Sequence, residues 1–191
     1  DLRRERPRCR GQGIDGRVDA QLGDRALEDD RGIEVCEGGG GRGMRVVHFA
    51  NEVPDAFRQC QAEALAAFGR DELYVEQLLP FARHIEVQVL GDGLATAHLG
   101  ERECSLQRAR QKLIELAPSP TLDPATRHAI ISSALQLAQS VAFQGLGTFE
   151  FLLDASEASG QGHFVFMEAN PRLQVEHTVT EEVTGIDLVQ V

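Results

Sequence analysis

Gly147-Thr-Phe-Glu-Phe-Leu-Leu153 and His163-Phe-Val-Phe-Met-Glu-Ala-Asn170 are two apolar stretches near the carboxyl end of the chain, and they decide the fold. Both are rich in aromatic and β-branched residues, a composition typical of β-strands. The segment between them is polar and contains Ser159-Gly160, which favours a turn. We therefore predict two antiparallel strands joined as a hairpin.

This hairpin would place two carboxylates opposite each other. A turn centred near Ser159-Gly160 puts Glu150 across from Glu168, with Asn170 two residues further on the same face. Facing carboxylates repel each other unless a cation neutralises them, and Mg²⁺ binds carboxylate and amide oxygens. The pattern fits a metal site at Glu150, Glu168 and Asn170. It fits equally well an ordinary hairpin in which one glutamate points to solvent.

A polar segment, Asn170-Pro-Arg-Leu-Gln-Val-Glu-His177, follows the second strand. Arg172 could bind a small planar oxyanion through two parallel hydrogen bonds, and Glu176 could remove a proton from that anion. The alternative is a polar loop closed by an Arg–Glu ion pair. Without further context, these residues favour the alternative.

The rest of the chain after residue 37 alternates between helical and strand patterns. Ile85, Val87 and Val89 lie on one face of a predicted strand, which turns at Gly91-Asp92-Gly93 into a second strand. The fold class is α+β with an antiparallel core. The other predicted elements are a short apolar run at 46–47, a helix from Pro54 to Gly69, strands at 73–78 and 94–99, a helix from Pro124 to about Ala142, and a short terminal helix.

The amino-terminal part of the chain is less regular. Residues 1–37 contain no aromatic residue and no sustained hydrophobic period, so we interpret them as disordered or non-native. Gly38-Gly-Gly-Gly-Arg-Gly-Met44 follows, and its backbone N–H groups could converge on phosphate oxygens. It is not a Walker A loop, because no Gly-Lys-Ser/Thr follows, and glycine runs are often only linkers.

Composition excludes several classes of function. The net charge of −11 argues against a nucleic-acid binder, and no apolar run is long enough to span a membrane. The four cysteines form no C-x-x-C pair, a spacing typical of reduced thiols in a cytoplasmic protein. Lys112 is the only lysine among the 19 lysine and arginine residues, which singles it out as a candidate for a specific role.

Five motifs together resemble the biotin carboxylase component of the acetyl-, propionyl- or pyruvate-carboxylase family, which has the ATP-grasp fold. They are Gly38 to Met44, Arg83-His-Ile-Glu-Val-Gln88, Glu101-Arg-Glu-Cys-Ser-Leu-Gln107 with Gln111-Lys112, Gly147-Thr-Phe-Glu-Phe151, and Glu168-Ala-Asn-Pro-Arg-Leu-Gln-Val-Glu-His177. The resemblance runs from about Gly38 to the last residue. It implies a partial lid subdomain at 38–80 and, at 81–191, part of the carboxyl-terminal antiparallel-sheet half that binds metal and bicarbonate, the whole being truncated at both ends.

The resemblance also implies a reaction. ATP, bicarbonate and biotin on a carrier protein give carboxybiotin, ADP and phosphate, through a carboxyphosphate intermediate that releases CO₂ beside biotin. Mg²⁺ or Mn²⁺ would be the cofactor, and a carboxyltransferase would use the product. The residues implied are Gly40 and Gly41 at the phosphates; Glu76, Gln77, Leu78 and Leu79 at the adenine; His84 and Gln107 near the nucleoside; Lys112 at the terminal phosphates and bicarbonate; Glu150, Glu168 and Asn170 at the metal; Arg172, Gln174 and Val175 at bicarbonate; and Glu176 as the base.

The chain departs from the family pattern at several positions. Gln77 replaces a usual lysine, Arg110 stands where histidine is common, and Val35-Cys36-Glu37 replaces a strand ending in Lys-Ala-Ser. Two alternatives to an active biotin carboxylase therefore remain: a catalytically inactive ATP-grasp fragment, or another ATP-grasp ligase of the carbamoyl-phosphate synthase type. The intact parent protein is expected to be a homo-oligomer.

Overall fold

The computed structural model describes residues 33–36, 45–69, 71, 73–108, 111–156 and 162–190, and the chain divides into two compact units between Pro80 and Phe81. The described strands are β1 (Ile33–Cys36), β2 (Arg45–Val47), β3 (Tyr74–Gln77), β4 (Ala82–Asp92), β5 (Thr96–Arg108), β6 (Gln111–Leu116), β7 (Gln144–Asp154) and β8 (Phe164–Asn170). The helices are α1 (Val53–Phe68), α2 (Pro124–Ser140) and α3 (His177–Thr184), with a 3₁₀ turn at Ala50–Glu52. None of the helices in these ranges is long and apolar enough to cross a membrane.

The first unit is a small antiparallel sheet with one helix. The strand order is β2-β1-β3, so β1 pairs with both neighbours. Val53, Ala56 and Cys60 recur at helical spacing along α1 and pack with Val47 of β2 in a small core. Helix α1 ends at Gly69, whose φ of 70° is left-handed and therefore suits glycine.

Strand β1 corrects the interpretation of residues 1–37 as disordered or non-native. Ile33–Cys36 forms a regular strand, and its backbone is paired antiparallel on both sides. Four residues are too few to show a hydrophobic period, and the pairing depends on partners distant in sequence, so the pattern alone could not reveal this strand. Residues 1–32, and the glycine run at 37–44, lie outside the described residues.

The second unit contains the larger sheet, with the order β6-β5-β4-β7-β8 and antiparallel pairing throughout. One face is apolar, because alternate residues of each strand point to the same side. Ile85, Val87 and Val89 of β4 lie there together with Phe149 and Phe151 of β7, as predicted for β4. This confirms the α+β class with an antiparallel core.

Helix α2 covers the apolar face of this sheet. Asp123 is its N-cap, and the Asp123 carboxylate accepts hydrogen bonds from the backbone N–H groups of Ala125 and Thr126, both at 3.0 Å. The residues of α2 that pack against the sheet recur every four positions, at Ile130, Ala134 and Ala138. The small alanines allow the helix to approach the sheet closely, so the core is filled mainly by the phenylalanine rings of β7 and β8.

Two strands differ from the prediction. Strand β5 extends to Arg108 instead of ending at Leu99, and β6 was not predicted. The missed part of β5 includes Glu101 and Arg102, which are charged but buried. Charged residues are rarely buried unless they are paired, so hydrophobic patterning cannot identify such a strand.

The core predicts a clear difference between two leucine-sized positions of this unit. Ile130 is fully buried between α2 and the sheet, whereas Leu94, in the turn after β4, is 97% exposed. We expect Ile130→Ala to lower the free energy of unfolding by about 2–5 kcal/mol, because it leaves a cavity. Leu94→Ala, the matched control, should change it by less than about 0.5 kcal/mol. Urea denaturation followed by circular dichroism measures both, and equal effects would contradict the assigned core.

Candidate metal and anion site

The second face of the larger sheet is polar and carries a row of charged residues. Arg102 on β5 is opposite Glu86 on β4, Glu86 is opposite Glu150 on β7, and Glu150 is opposite Glu168 on β8. The row follows from strand alternation, since these positions point away from the core that α2 covers. The predicted pairing of Glu150 with Glu168 is confirmed.

Glu150 is the most enclosed member of the predicted metal set, with 2% of its surface exposed. His84 Nε2 lies 2.7 Å from one of its oxygens, and Asn170 Nδ2 donates to the other at 2.7 Å. Burial alone would raise the pKa of this carboxyl, but the hydrogen bond with His84 and the charge of Lys112 outweigh it and lower the pKa to about 2. Glu150 is therefore an anion at any physiological pH.

Asn170 brings the two facing carboxylates to one point. Its Nδ2 donates to Glu150 Oε1 at 2.7 Å and to Glu168 Oε1 at 3.1 Å. The carboxylate oxygens therefore converge within the reach of a single small group. A 180° rotation of the Asn170 amide about its Cβ–Cγ bond would place Oδ1 where Nδ2 now lies. Oxygens of Glu150, Glu168 and Asn170 would then face the same point. This donor set fits a hard divalent cation such as Mg²⁺ or Mn²⁺.

Lys112, on β6, lies among three carboxylates of the same face. Its Nζ donates to Glu86 Oε2 at 2.5 Å and to Glu176 Oε1, and it lies 3.5 Å from Glu150 Oε1. Burial would lower the pKa of Lys112, but the charges of Glu86 and Glu150 and the hydrogen bond with Glu176 raise it above its usual value. The group therefore remains an ammonium cation and cannot act as a base at neutral pH.

Glu176 stands at the start of α3, where it is the N-cap residue. Burial would raise the pKa of its carboxyl, but the hydrogen bond from Lys112 lowers it below the usual value. Glu176 is thus ionised at neutral pH and able to accept a proton. The alternative predicted from sequence, a loop closed by an Arg–Glu pair, is wrong: Glu176 pairs with Lys112, and among the described residues Arg172 forms no ion pair.

Glutamates outnumber permanent cations among the described residues of the polar face. Four glutamates, Glu86, Glu150, Glu168 and Glu176, adjoin two permanent cations, Lys112 and Arg102. Counted over these six residues, the formal charge is −2, which one divalent cation would neutralise. This balance and the converging oxygens are the two observations that support a metal site here.

The residues expected to hold bicarbonate are only partly brought together. Gln174 accepts a hydrogen bond from Thr148 Oγ1 at 2.6 Å and donates to Glu150 Oε1 at 3.4 Å, so it borders the carboxylates. Arg172 is exposed, and its guanidinium donates to the carbonyl of Leu173 at 3.3 Å. Val175 is 90% exposed. The side chains of Arg172 and Val175 therefore lie on the solvent-exposed side of the loop.

The predicted nucleotide-contacting residues divide between the two units. In the second unit, Gln107 Nε2 lies 2.8 Å from His84 Nδ1, and His84 Nε2 lies 2.7 Å from Glu150 Oε2. In the first unit, Glu76 and Gln77 belong to β3, and the half-buried Leu78 and Leu79 follow it. Gly40, Gly41 and Arg110 lie outside the described residues.

Sequence reasoning gave no role to three buried polar residues of this face: Glu86, Gln88 and Arg102. Arg102 donates to Glu86 at 2.5 Å and to Gln88 at 3.0 Å, and Gln88 donates to the carbonyl of Gly147 at 3.0 Å. The available signal was the alternation of β4, since Glu86 and Gln88 lie between core residues on a central strand. A charge at such a position predicts a buried partner.

The environment of Glu150 predicts an acid-dependent loss of stability. Its folded pKa of about 2 lies below the ordinary value of 4.5, so its contribution is present above pH 4.5 and is lost as the pH falls through about 2. That contribution is on the order of 3 kcal/mol. We expect the unfolding free energy of Glu150→Gln to fall less steeply than that of the parent between pH 6 and 3 in urea titrations. Glu182→Gln, on the exposed side of α3, is the control, and parallel curves for parent and Glu150→Gln would refute the assignment.

Comparisons with known proteins identify relatives across most of the chain. Residues 33–191 match the family model of the carbamoyl-phosphate synthase L chain, ATP binding domain. The chain is 51% identical over 159 residues to pyruvate carboxylase 1 of Caenorhabditis elegans, and 50% identical over 159 residues to pyruvate carboxylase of Bacillus subtilis. Each match covers 83% of this chain and 13% of the relative, so the chain spans only a small part of these enzymes.

Solved structures show the same relationship. The biotin carboxylase of Campylobacter jejuni, in a β,γ-ATP complex, has a TM-score of 0.79 and 43% identity, over 86% of this chain and 36% of that one. The biotin carboxylase domain of Hydrogenobacter thermophilus 2-oxoglutarate carboxylase, solved with MgADP, ADP and bicarbonate, has a TM-score of 0.78 and 39% identity, over 90% and 38%. The predicted resemblance and the partial ATP-grasp fold are confirmed. The chain belongs to the family of carbamoyl-phosphate synthase L chain ATP-binding domains, and its listed motifs are those of the biotin carboxylases within it.

Proposed function

We propose that this chain is part of a biotin carboxylase, which uses ATP to carboxylate biotin on a carrier protein with bicarbonate. The observation that supports this most directly is the contact of Lys112 with Glu176, beside the converging carboxylates of Glu150 and Glu168. A cation, a general base and a metal-type donor set then lie on one sheet face. These are the groups that activation of bicarbonate by a nucleoside triphosphate requires.

The proposed reaction has three steps. An oxygen of bicarbonate attacks the γ-phosphorus of ATP, forming carboxyphosphate and releasing ADP. Carboxyphosphate then breaks its carbon–oxygen bond to give CO₂ and phosphate. Finally a ring nitrogen of biotin passes its proton to the phosphate just released and bonds to CO₂, giving carboxybiotin.

Mg²⁺ or Mn²⁺ would be held by Glu150, Glu168 and Asn170. When bound, the ion would supply positive charge to the phosphate oxygens. The carboxylates are suited to this because Glu150 is ionised well below neutral pH and therefore needs no deprotonation before it binds a cation. The amide of Asn170, which lies between the two carboxylates, would complete the set.

The remaining roles belong to the residues around Lys112. Glu176 is the proposed base, and its carboxylate would take the proton of bicarbonate as the oxygen becomes nucleophilic. Lys112 stays protonated and would balance charge on bicarbonate and the terminal phosphates. Arg172, Gln174 and Val175 would hold bicarbonate on the open side of the loop.

The nucleotide contacts are proposed residue by residue, as the resemblance implies. Gly40 and Gly41 would contact its phosphates, Glu76 to Leu79 its adenine, and His84 and Gln107 its nucleoside. The proposed protein partners are a biotin carrier and a carboxyltransferase, with neither nucleic acid nor membrane involved, and the parent is a homo-oligomer. The buried free thiol of Cys104 supports a reducing compartment, for which we propose the cytoplasm.

Binding of Mn²⁺–ATP tests the metal half of the proposal. Glu168→Gln replaces one carboxylate of the set with a neutral amide, so we expect calorimetry to show affinity weakened by more than about tenfold relative to the parent. Glu182→Gln keeps the donor set and should bind like the parent. A parent chain that unfolds cooperatively but gives no heat with Mn²⁺–ATP or Mg²⁺–ATP would contradict ligand binding by this chain.

Product analysis separates the proposal from its nearest alternative, a ligase of the carbamoyl-phosphate synthase type, which the name of the matching family model suggests. With ¹³C-bicarbonate, MgATP and free biotin, we expect carboxybiotin and one ADP per product. Labelled carbamoyl phosphate in the presence of an ammonia source would instead support the alternative. Binding of MgATP without any labelled product would support a catalytically inactive fragment, which full carboxylation of free biotin would exclude.

A further inference from the structure

We propose that Arg102 is a positioning residue whose buried guanidinium holds Lys112 and Glu176 in contact. Arg102 is fully buried on β5, and its hydrogen bonds among the described residues go to Glu86, Gln88 and Thr180. It acts through two intermediates, Glu86 on β4 and Thr180 on α3. The contact between Lys112 and Glu176 is a feature of the structure. The inference rests on the proposed function only where it gives that contact a catalytic role.

The first connection runs through Glu86. Arg102 Nε donates to one carboxylate oxygen of Glu86 at 2.5 Å, and Lys112 Nζ donates to the other at 2.5 Å. Glu86 is fully buried, so its charge depends on these two cations. The guanidinium is planar, and its simultaneous bond to Gln88 fixes the orientation in which it meets Glu86. The oxygen offered to Lys112 is fixed as a result.

The second connection runs through Thr180. Arg102 Nη1 donates to Thr180 Oγ1 at 2.5 Å, and Thr180 is buried. Thr180 is four residues after Glu176, which places both on one side of the first turn of α3. The position of Glu176 relative to the sheet therefore depends on the bond that holds this turn to β5. One guanidinium thus fixes both partners of the Lys112–Glu176 pair.

The geometry also argues against a role in stability alone. Arg102 Nη2 is buried without a hydrogen-bond partner among the described residues, and an unsatisfied buried donor is unfavourable. A whole buried ion pair is frequently replaceable by apolar residues without loss of stability, although removal of one partner alone is costly. The guanidinium is required here for a different reason: an apolar side chain could fill the space but could not orient Glu86 and Thr180 together.

The single lysine of the chain makes the test specific. Labelling with ¹⁵N-lysine gives one ammonium signal, from Lys112 Nζ, and the exchange of its protons with water can be measured at one fixed pH. In the parent chain we expect slow exchange, because Glu86 and Glu176 accept hydrogen bonds from this group. Arg102→Gln loses the charged fork that meets Glu86 and Thr180 together and adds no second lysine, so we expect exchange faster by about tenfold, the factor for one lost charge-assisted hydrogen bond.

Thr180 variants test the second connection. Thr180→Val removes the hydroxyl with little change in volume and should also accelerate exchange, whereas Thr180→Ser keeps the hydroxyl and should restore the parent rate. Arg127→Met is the matched control, since Arg127 pairs with Glu101 at 2.8 Å in the same unit and does not contact the Lys112 cluster. Arg127→Met shows how loss of an arginine–glutamate pair elsewhere in the unit affects the exchange rate of the Lys112 ammonium protons. We expect that rate to stay at the parent value.

The outcomes separate this proposal from the proposed function. Parent-like exchange in folded Arg102→Gln and Thr180→Val would overturn it, as would an equal acceleration in Arg127→Met. If Arg102→Gln does not fold, the comparison of Thr180→Val with Thr180→Ser decides alone. Where the parent chain shows bicarbonate-dependent ATP cleavage, the accelerated variants should lose kcat with little change in KM for ATP. If the parent has no such activity, the proposed function is contradicted. The exchange measurement still tests the positioning role of Arg102, because it does not depend on catalysis.

Discussion

The structure of the second unit depends on keeping one carboxylate, that of Glu86, charged in the middle of a sheet. Glu86 has no exposed surface, and it tolerates this only because Arg102 and Lys112 each bond one of its oxygens. These cations come from β5 and β6, so the carboxylate connects three adjacent strands. Removing either partner would leave a buried charge with half its compensation, which is far more costly than losing a surface ion pair.

The same strands serve two opposite environments, because consecutive side chains of a strand point to opposite faces. On β4, Ile85 and Val87 pack under α2, while His84 and Glu86 face the carboxylate row. The apolar face holds the strands in register, and the register places the charges opposite each other. A shift of one residue would bury the charges against the phenylalanine core and would disperse the site.

Much of this arrangement could be predicted from local patterns. The alternation on β4 and the facing glutamates of β7 and β8 followed from period and turn composition, and both are confirmed. Strand β1 and the second half of β5 could not be predicted, because a four-residue strand shows no period and Arg102 looks solvent-exposed until its partners are known. The partner of Glu176 was equally hidden. Lys112 is 64 residues away in sequence, and only the sheet brings it nearer than Arg172.

The proposed divalent ion has a consequence for how this protein is handled. A ligand that binds the folded chain and not the unfolded chain shifts the equilibrium toward the folded state. If Mg²⁺ or Mn²⁺ binds Glu150, Glu168 and Asn170 as proposed, chelators in a purification buffer would lower the melting temperature. Melting temperatures from two preparations could then be compared only at equal free concentrations of the divalent ion.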